Sequence, residues 1–236
     1  MANAFASALL PALSSTISFI FAFFVLRRWR YGRRLYTLFW GIGMLFYAIG
    51  GAMEALYGFF GWHPQVFRLW YLFGAILVAA WLGQGTVFLL VRKGWAYWLF
   101  YILLAASIFA TYRVFVAELD PTQMIAGELS GHAIVTPGVR ILTPFFNLFG
   151  VITLVGGAIY SAWIFWRKRV LLHRVVGNVL IAAGALMPAF GGAFQRFGVP
   201  YTLYLGELFG AILMFIGFMY ATQMITMGIP ATRQPA

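Results

Sequence analysis

Residues 27–60 read RRWRYGRRLYTLFWGIGMLFYAIGGAMEALYGFF. Five arginines within eight residues are followed by 26 residues that hold a single charge, Glu54. At a rise of about 1.5 Å per residue, an apolar run of this length crosses a hydrocarbon core of about 30 Å. Its backbone groups find no water there, so the run must be helical. The stretch therefore predicts a membrane helix that begins at a basic end and holds one acid.

The same pattern recurs along the whole chain of 236 residues, of which 63% are hydrophobic and 9% are charged. A soluble domain needs more charge to cover its surface. We therefore predict an all-α polytopic membrane protein, a single transmembrane domain over residues 1–236 with a seven-helix bundle. The predicted helices are approximately 5–26, 35–60, 68–91, 95–118, 141–166, 174–196 and 201–226, with an outer loop at 119–140 and a tail at 227–236.

The charges separate by side of the predicted membrane. One side has twelve basic residues and no acid: Arg27, Arg28, Arg30, Arg33, Arg34, Arg92, Lys93, Arg167, Lys168, Arg169, Arg174 and Arg233. The other side has the remaining four arginines and all five acids: Arg68, Arg113, Arg140, Arg196, Glu54, Glu118, Asp120, Glu128 and Glu207. Basic residues in short loops mark the cytoplasmic face. We predict a multi-pass protein of the plasma (inner) membrane, with its N-terminus outside and its C-terminus in the cytoplasm; contact with anionic lipid accounts for the basic side without nucleic acid.

A short internal repeat suggests how the helices are related. The sequence LFGAIL occurs at 72–77 and again at 208–213, and each copy has a proline eight residues upstream, Pro64 or Pro200. At the same offset Leu35 aligns with Leu171 and Gly41 with Gly177. This spacing suggests a parallel 3+1+3 repeat, an arrangement found in some transporters.

Four polar residues are predicted to lie at a similar depth below the outer surface. Glu54, Arg113, Asn147 and Glu207 each fall five to seven residues from the outer end of a predicted helix. Charged side chains at that depth are costly in lipid, so we expect them to face the bundle interior. We expect Arg113 to pair with both glutamates and the spare acid to be protonated, to meet another arginine or to bind a cationic ligand. The alternative is a purely structural ion pair.

Two tyrosines and two amides complete the candidate residues. Tyr47 lies two helical turns before Glu54, hence on its face, and Tyr204 lies in the last helix. With the four residues above they predict an outward-facing polar pocket for a small molecule or a lipid. In the inner half, Gln84 and Asn178 are expected to form hydrogen bonds between helices.

The sequence lacks the residues that several kinds of functional site require. The chain has no cysteine, so thiolate metal sites and disulfides are excluded. The three histidines fall in loops or at a helix end, which argues against haem or a metal within the membrane. Both lysines, Lys93 and Lys168, are on the basic side, so no lysine is predicted within the membrane to form a Schiff base with retinal. We expect no cofactor and no enzymatic activity.

The stretch FWGIGMLFYAIGGAMEALYG at 39–58 and the segment RVVGNVLIAAGALMPAFGGAFQRFGVP at 174–200 resemble the seven-helix sensory module found before the kinase domain of some bacterial histidine kinases. The counterparts here are Tyr47-Ala48 followed by Glu54, and Tyr220-Ala221 near the end of the last helix. The resemblance implies a sensory membrane region. No kinase domain follows in this chain, so a sensor would act through a protein partner.

We predict a receptor-like, sensory seven-helix membrane protein that signals through a separate partner. Two alternatives stay open. The repeat favours a small-solute transporter, whereas the glycine-rich helix faces favour an accessory subunit of a larger membrane complex. A transporter needs a polar path through the inner half, where candidate residues are few.

Overall fold

The computed structural model describes residues 2–124, 129–169 and 172–222. Seven helices in this part of the chain are long and apolar enough to cross a membrane, which confirms the predicted all-α architecture. Glu128, Leu171, Arg233 and the tail 227–236 lie outside the described residues. The helices are α1 (Ala2–Gly32), α2 (Leu35–Phe60), α3 (Pro64–Leu90), α4 (Lys93–Val116), α5 (Val139–Arg167), α6 (Leu172–Arg196) and α7 (Thr202–Thr222).

The first helix is longer than its apolar run. It continues through most of the arginine cluster to Gly32, where a left-handed residue, Arg33 with φ of 49°, turns the chain. Arginine favours helix, so the basic segment predicted as a loop forms the last turns of α1 instead. The third helix likewise begins early, at Pro64, because His63 caps it and proline suits the first helical position.

Two helices contain π-helical segments. In α3 the segment is Trp70–Leu77, and in α5 it is Val151–Val155. The first includes LFGAIL at 72–77, whereas the second copy of that sequence, at 208–213, is ordinary α-helix within α7. The two copies thus differ in helix geometry, and the parallel repeat stays a prediction.

Glycines bring α6 and α7 into backbone contact. A Cβ placed on Gly206 would lie 2.5 Å from the carbonyl oxygen of Met187, and one on Gly210 would lie 2.8 Å from that of Gly184. The GxxxG spacing in GELFG at 206–210 is therefore used inside the chain. Small residues join α1 and α2 in the same way, since a Cβ on Gly58 would lie 2.7 Å from the Cα of Ala8.

The segment after α4 folds back over the end of the bundle that is predicted to lie outside, called here the outer end. Leu119 pairs with Ile134 in a single antiparallel bridge. Ala133 and Ile134 are buried in the same apolar cluster as Phe67 and Tyr71 of α3. Asp120 begins a short turn at Pro121–Gln123, and bonds from Thr122 and Gln123 hold the pKa of its carboxyl below the usual range. The predicted polar loop thus includes a hydrophobic anchor that covers part of the outer end.

Candidate functional site

Glu54 is buried at the contact between α2 and α3. Its side chain is 2% exposed, and the indole Nε1 of Trp70 donates a hydrogen bond of 2.7 Å to its Oε1. The register follows from two glycines, because a Cβ on Gly50 would lie only 2.7 Å from the Cα of Gly74. The helices are antiparallel, so one turn outward from this close approach lie Glu54 on α2 and Trp70 on α3.

Glu207 brings α7 to the same place. Its carboxyl group and that of Glu54 are close enough to interact electrostatically. Two turns before Glu54, the Tyr47 hydroxyl donates a hydrogen bond of 2.9 Å to the backbone oxygen of Glu207. Gly210 leaves room for that tyrosine, since a Cβ there would lie 3.3 Å from its hydroxyl oxygen. We call Glu54 and Glu207 the acid pair.

The chemistry of the acid pair follows from the closeness of its two carboxyl groups. Two neighbouring carboxyl groups attract each other only when one of them carries a proton, because two negative charges close together repel strongly. The pair can therefore hold a proton, release it or exchange it for a cationic group. Trp70 donates to Glu54 from α3, and Tyr47 donates to the backbone of Glu207, so three helices meet at the pair.

The predicted pairing of Arg113 with the two glutamates is wrong. Its guanidinium donates a 2.7 Å hydrogen bond to the carbonyl oxygen of Pro137 and lies 5.9 Å from the centre of the Phe109 ring. Arg113 thus ties α4 to the segment before α5. The position of Arg113 along α4 does not reveal the direction in which its side chain points.

Arg68 has a structural role that the sequence did not reveal. Its guanidinium donates to the carbonyl oxygens of Val114 and Ala117, the latter at 2.8 Å. Val114 lies in the last turn of α4 and Ala117 directly follows it, so the cation also meets the negative end of the helix dipole. Arg68 and Arg113 thus both serve backbone carbonyls, whereas Arg140 is exposed and the side chain of Arg196 is not described.

We expect Arg68→Ala to destabilise the protein more than Arg113→Ala. Arg68 is partly buried and satisfies two carbonyls, whereas Arg113 forms one exposed hydrogen bond. At about 1 kcal/mol for each such bond, the losses should be about 2 and 1 kcal/mol. Unfolding in detergent, compared with the conservative variants Arg68→Lys and Arg113→Lys, measures both. A larger loss of stability in Arg113→Ala than in Arg68→Ala would favour the predicted pairing of Arg113 with the glutamates.

Asn147 joins α5 to the π-helical segment of α3. Its Nδ2 donates to the backbone oxygen of Ala75 at 3.3 Å, and one turn earlier the Thr143 hydroxyl donates to the hydroxyl of Tyr71 at 2.9 Å. These two hydrogen bonds tie α5 to the π-helical segment of α3. Asn147 belongs to this seam between α3 and α5, and its hydrogen bond does not reach the acid pair.

The remaining predicted residues differ in their surroundings. Tyr204 is buried, one turn before Glu207 on the same face of α7. Gln84 is fully buried, and its Nε2 donates to the backbone oxygen of Ala96 at 3.0 Å, which is the expected bond between α3 and α4. Asn178 is partly exposed on α6, and no hydrogen bond of its side chain is found within the described residues.

Trp70 was expected only as one of several aromatic residues around the pocket, and its hydrogen bond to Glu54 was not predicted. The signal was present in the spacing of glycines: Gly50 lies four residues before Glu54, and Gly74 lies four residues after Trp70. A pair of glycines in antiparallel helices marks a close approach, and residues one turn away on both helices then face each other.

The histidines and acids of the described residues decide whether this part of the chain could bind a metal ion. In those residues no three side chains of His, Cys, Asp or Glu come together as metal ligands would. The acid pair alone offers two carboxylates. Hard cations such as Mg²⁺ and Ca²⁺ take about six or more oxygen ligands.

Comparisons with protein families, with curated proteins and with solved structures gave no match. The resemblance to the sensory module of histidine kinases therefore has no support from them. What the chain does has to be inferred from its own geometry.

Proposed function

We propose that the chain is a receptor-like, sensory protein of the plasma membrane whose sensing element is the acid pair. The observation that supports this proposal is the placement of two acids side by side: Glu54 is buried on α2 beneath the Trp70 indole, and Tyr47 of the same helix holds the backbone at Glu207 of α7. The two carboxyl groups attract each other only while they share a proton. Loss of that proton, or arrival of a cationic group from the outer side, changes the force between the two helices.

The packing supplies a route from the acid pair to the other end of the bundle. Glu207 belongs to α7, and glycine contacts bind α7 to α6 along most of its length. The opposite end of the bundle, called here the basic end, is the one predicted to carry the twelve basic residues. There the Arg28 guanidinium donates a hydrogen bond of 3.4 Å to the carbonyl oxygen of Thr222. A shift of α7 at the acid pair would therefore reach the end that we place in the cytoplasm, where a protein partner would respond to it.

The transporter alternative finds less support in the packing. Two polar side chains of the basic half bond between neighbouring helices: Gln84 donates to a carbonyl of α4, and the Thr86 hydroxyl accepts from the Trp40 indole at 3.3 Å. Both Gln84 and Thr86 are buried. Such hydrogen bonds favour a role in helix association over a role in lining a solute path.

The proton on the acid pair can be tested by chemical labelling. A hydrophobic carbodiimide reacts with protonated carboxyl groups in apolar surroundings, and mass spectrometry identifies the modified residue. In liposomes we expect Glu54 or Glu207 to be labelled near neutral pH, and less so as the pH rises and the shared proton is lost. The control Glu118→Gln, at an exposed outer residue, should leave labelling unchanged. Absence of label from both glutamates would show that the pair is ionised.

Sensing itself requires a movement that depends on the pair. The chain has no cysteine, so spin labels can be attached to cysteines introduced at exposed Tyr101 of α4 and Tyr220 of α7. We expect the distance between the labels to change with pH, and to stop changing in Glu54→Gln and in Glu207→Gln. A distance that is the same at every pH would contradict the sensory role. Passage of solute through protein-containing liposomes, dependent on Gln84, would favour transport instead.

A further inference from the structure

A groove opens between α1 and α7 at the basic end of the bundle. It has a volume of about 290 Å³. Its wall consists of aromatic, aliphatic and cationic side chains, from Phe24, Arg27, Arg28 and Tyr31 of α1 and Phe218, Met219 and Thr222 of α7. The groove is independent of the acid pair, which lies in the outer half.

The groove is apolar along one part and cationic at the other. Phe24 and Met219 are 40% and 43% exposed, so apolar surface is open toward the surrounding lipid. Arg27 is exposed, and among the described residues it has no hydrogen bond or ion pair. Arg28 uses one donor on the carbonyl oxygen of Thr222 and keeps the others. Two neighbouring guanidinium groups thus lie at one end of a groove whose other part is apolar.

We propose that this groove binds an anionic glycerophospholipid. Its phosphate contacts Arg27 and Arg28, and one acyl chain lies along Phe24 and Met219. A guanidinium group matches phosphate oxygens with paired donors and is less strongly hydrated than an ammonium group. The basic side has no acid in its sequence to compete for these arginines. A free phosphate would leave the apolar part unfilled, whereas a phospholipid fills both parts.

Lipid retention by the full chain tests the proposal. The protein is purified in detergent, incubated with phosphatidylglycerol or phosphatidylcholine, and the bound lipid is counted by native mass spectrometry. We expect phosphatidylglycerol to be retained in preference to phosphatidylcholine. Arg27→Gln should weaken its binding about fivefold, the effect of one basic residue near anionic lipid. Arg92→Gln removes the same charge at the same end, outside the groove, and should change binding by less than twofold.

A second variant distinguishes lipid binding in the groove from adsorption of lipid to the basic surface. Met219→Trp keeps both arginines and fills the apolar part, so it should also weaken phosphatidylglycerol binding. An equal effect of Arg92→Gln and Arg27→Gln, or unchanged binding in Met219→Trp, would show adsorption to the basic surface and overturn the site. Displacement of the lipid by excess inorganic phosphate would assign the arginines to a soluble anion instead. Failure of phosphate to displace it, with the two losses above, supports the phospholipid.

Discussion

Replacing Glu54 with alanine is expected to lower the free energy of unfolding by about 3 kcal/mol. The change leaves the buried Trp70 indole without its acceptor, which costs about 1–3 kcal/mol, and adds the cost of a cavity at a side chain that is only 2% exposed. Glu54→Gln should cost less, because an amide oxygen can still accept from the indole. Reversible unfolding in detergent or in lipid discs measures these differences.

A double-mutant cycle isolates the hydrogen bond between Trp70 and Glu54. Trp70→Phe removes the donor, and the double variant with Glu54→Ala should lose about 1 kcal/mol less than the two single losses together. Trp95→Phe, at a tryptophan that is 68% exposed, provides the matched control. Additive losses would mean that the indole and the carboxyl group do not interact. A loss in Glu54→Ala no greater than in Glu118→Ala would mean that Glu54 is not buried.

The second large effect is expected at Gly191 of α6. A Cβ on Gly191 would lie 2.3 Å from the backbone oxygen of Thr202, and the Thr202 hydroxyl also donates to the carbonyl oxygen of Gly191 at 2.9 Å. Gly191→Ala must therefore push α7 away from α6, at a cost of about 3 kcal/mol, the upper range for overpacking. The backbone atom in the way cannot rotate aside as a flexible side chain would.

Gly192→Ala is the matched control, one residue further along the same helix. The nearest atom to a Cβ there is Cδ1 of Leu203 at 3.7 Å, an ordinary contact. Alanine favours helix over glycine by about 1 kcal/mol, so this variant should be neutral or slightly more stable. Thermal unfolding of the two variants side by side gives the comparison. Equal effects at 191 and 192 would contradict the close contact between α6 and α7.

The sequence predicts the membrane helices better than it predicts which side chains contact each other. Hydropathy is a local property, so the seven helices can be predicted from the sequence alone. Which way a side chain points depends on how each helix is rotated against its neighbours. Arg113 shows the difference, because the carbonyl of Pro137 competes for its guanidinium and no spacing within α4 reveals it.

Identical sequence segments can also adopt different helix geometries when different helices pack against them. LFGAIL is π-helical at 72–77, where Asn147 of α5 donates to the backbone of Ala75, and α-helical at 208–213, where glycines of α6 and α7 meet. The sequence of one segment does not contain the side chain that another helix supplies. Local reasoning therefore recognised the repeat as a pattern and missed its geometry.

The π-helical segment of α3 has a consequence for how this chain tolerates insertions and deletions. A π segment accommodates an extra residue within a turn, whereas each residue of an α-helix adds about 100° of rotation. Loss of one residue within Trp70–Leu77 would restore the α-helix but turn the preceding Pro64–Leu69 by that angle. The indole of Trp70 would then leave the face that meets Glu54. The extra residue thus sets which side of α3 is presented to α2, and a homologue that lacks it would need a different donor for its acid.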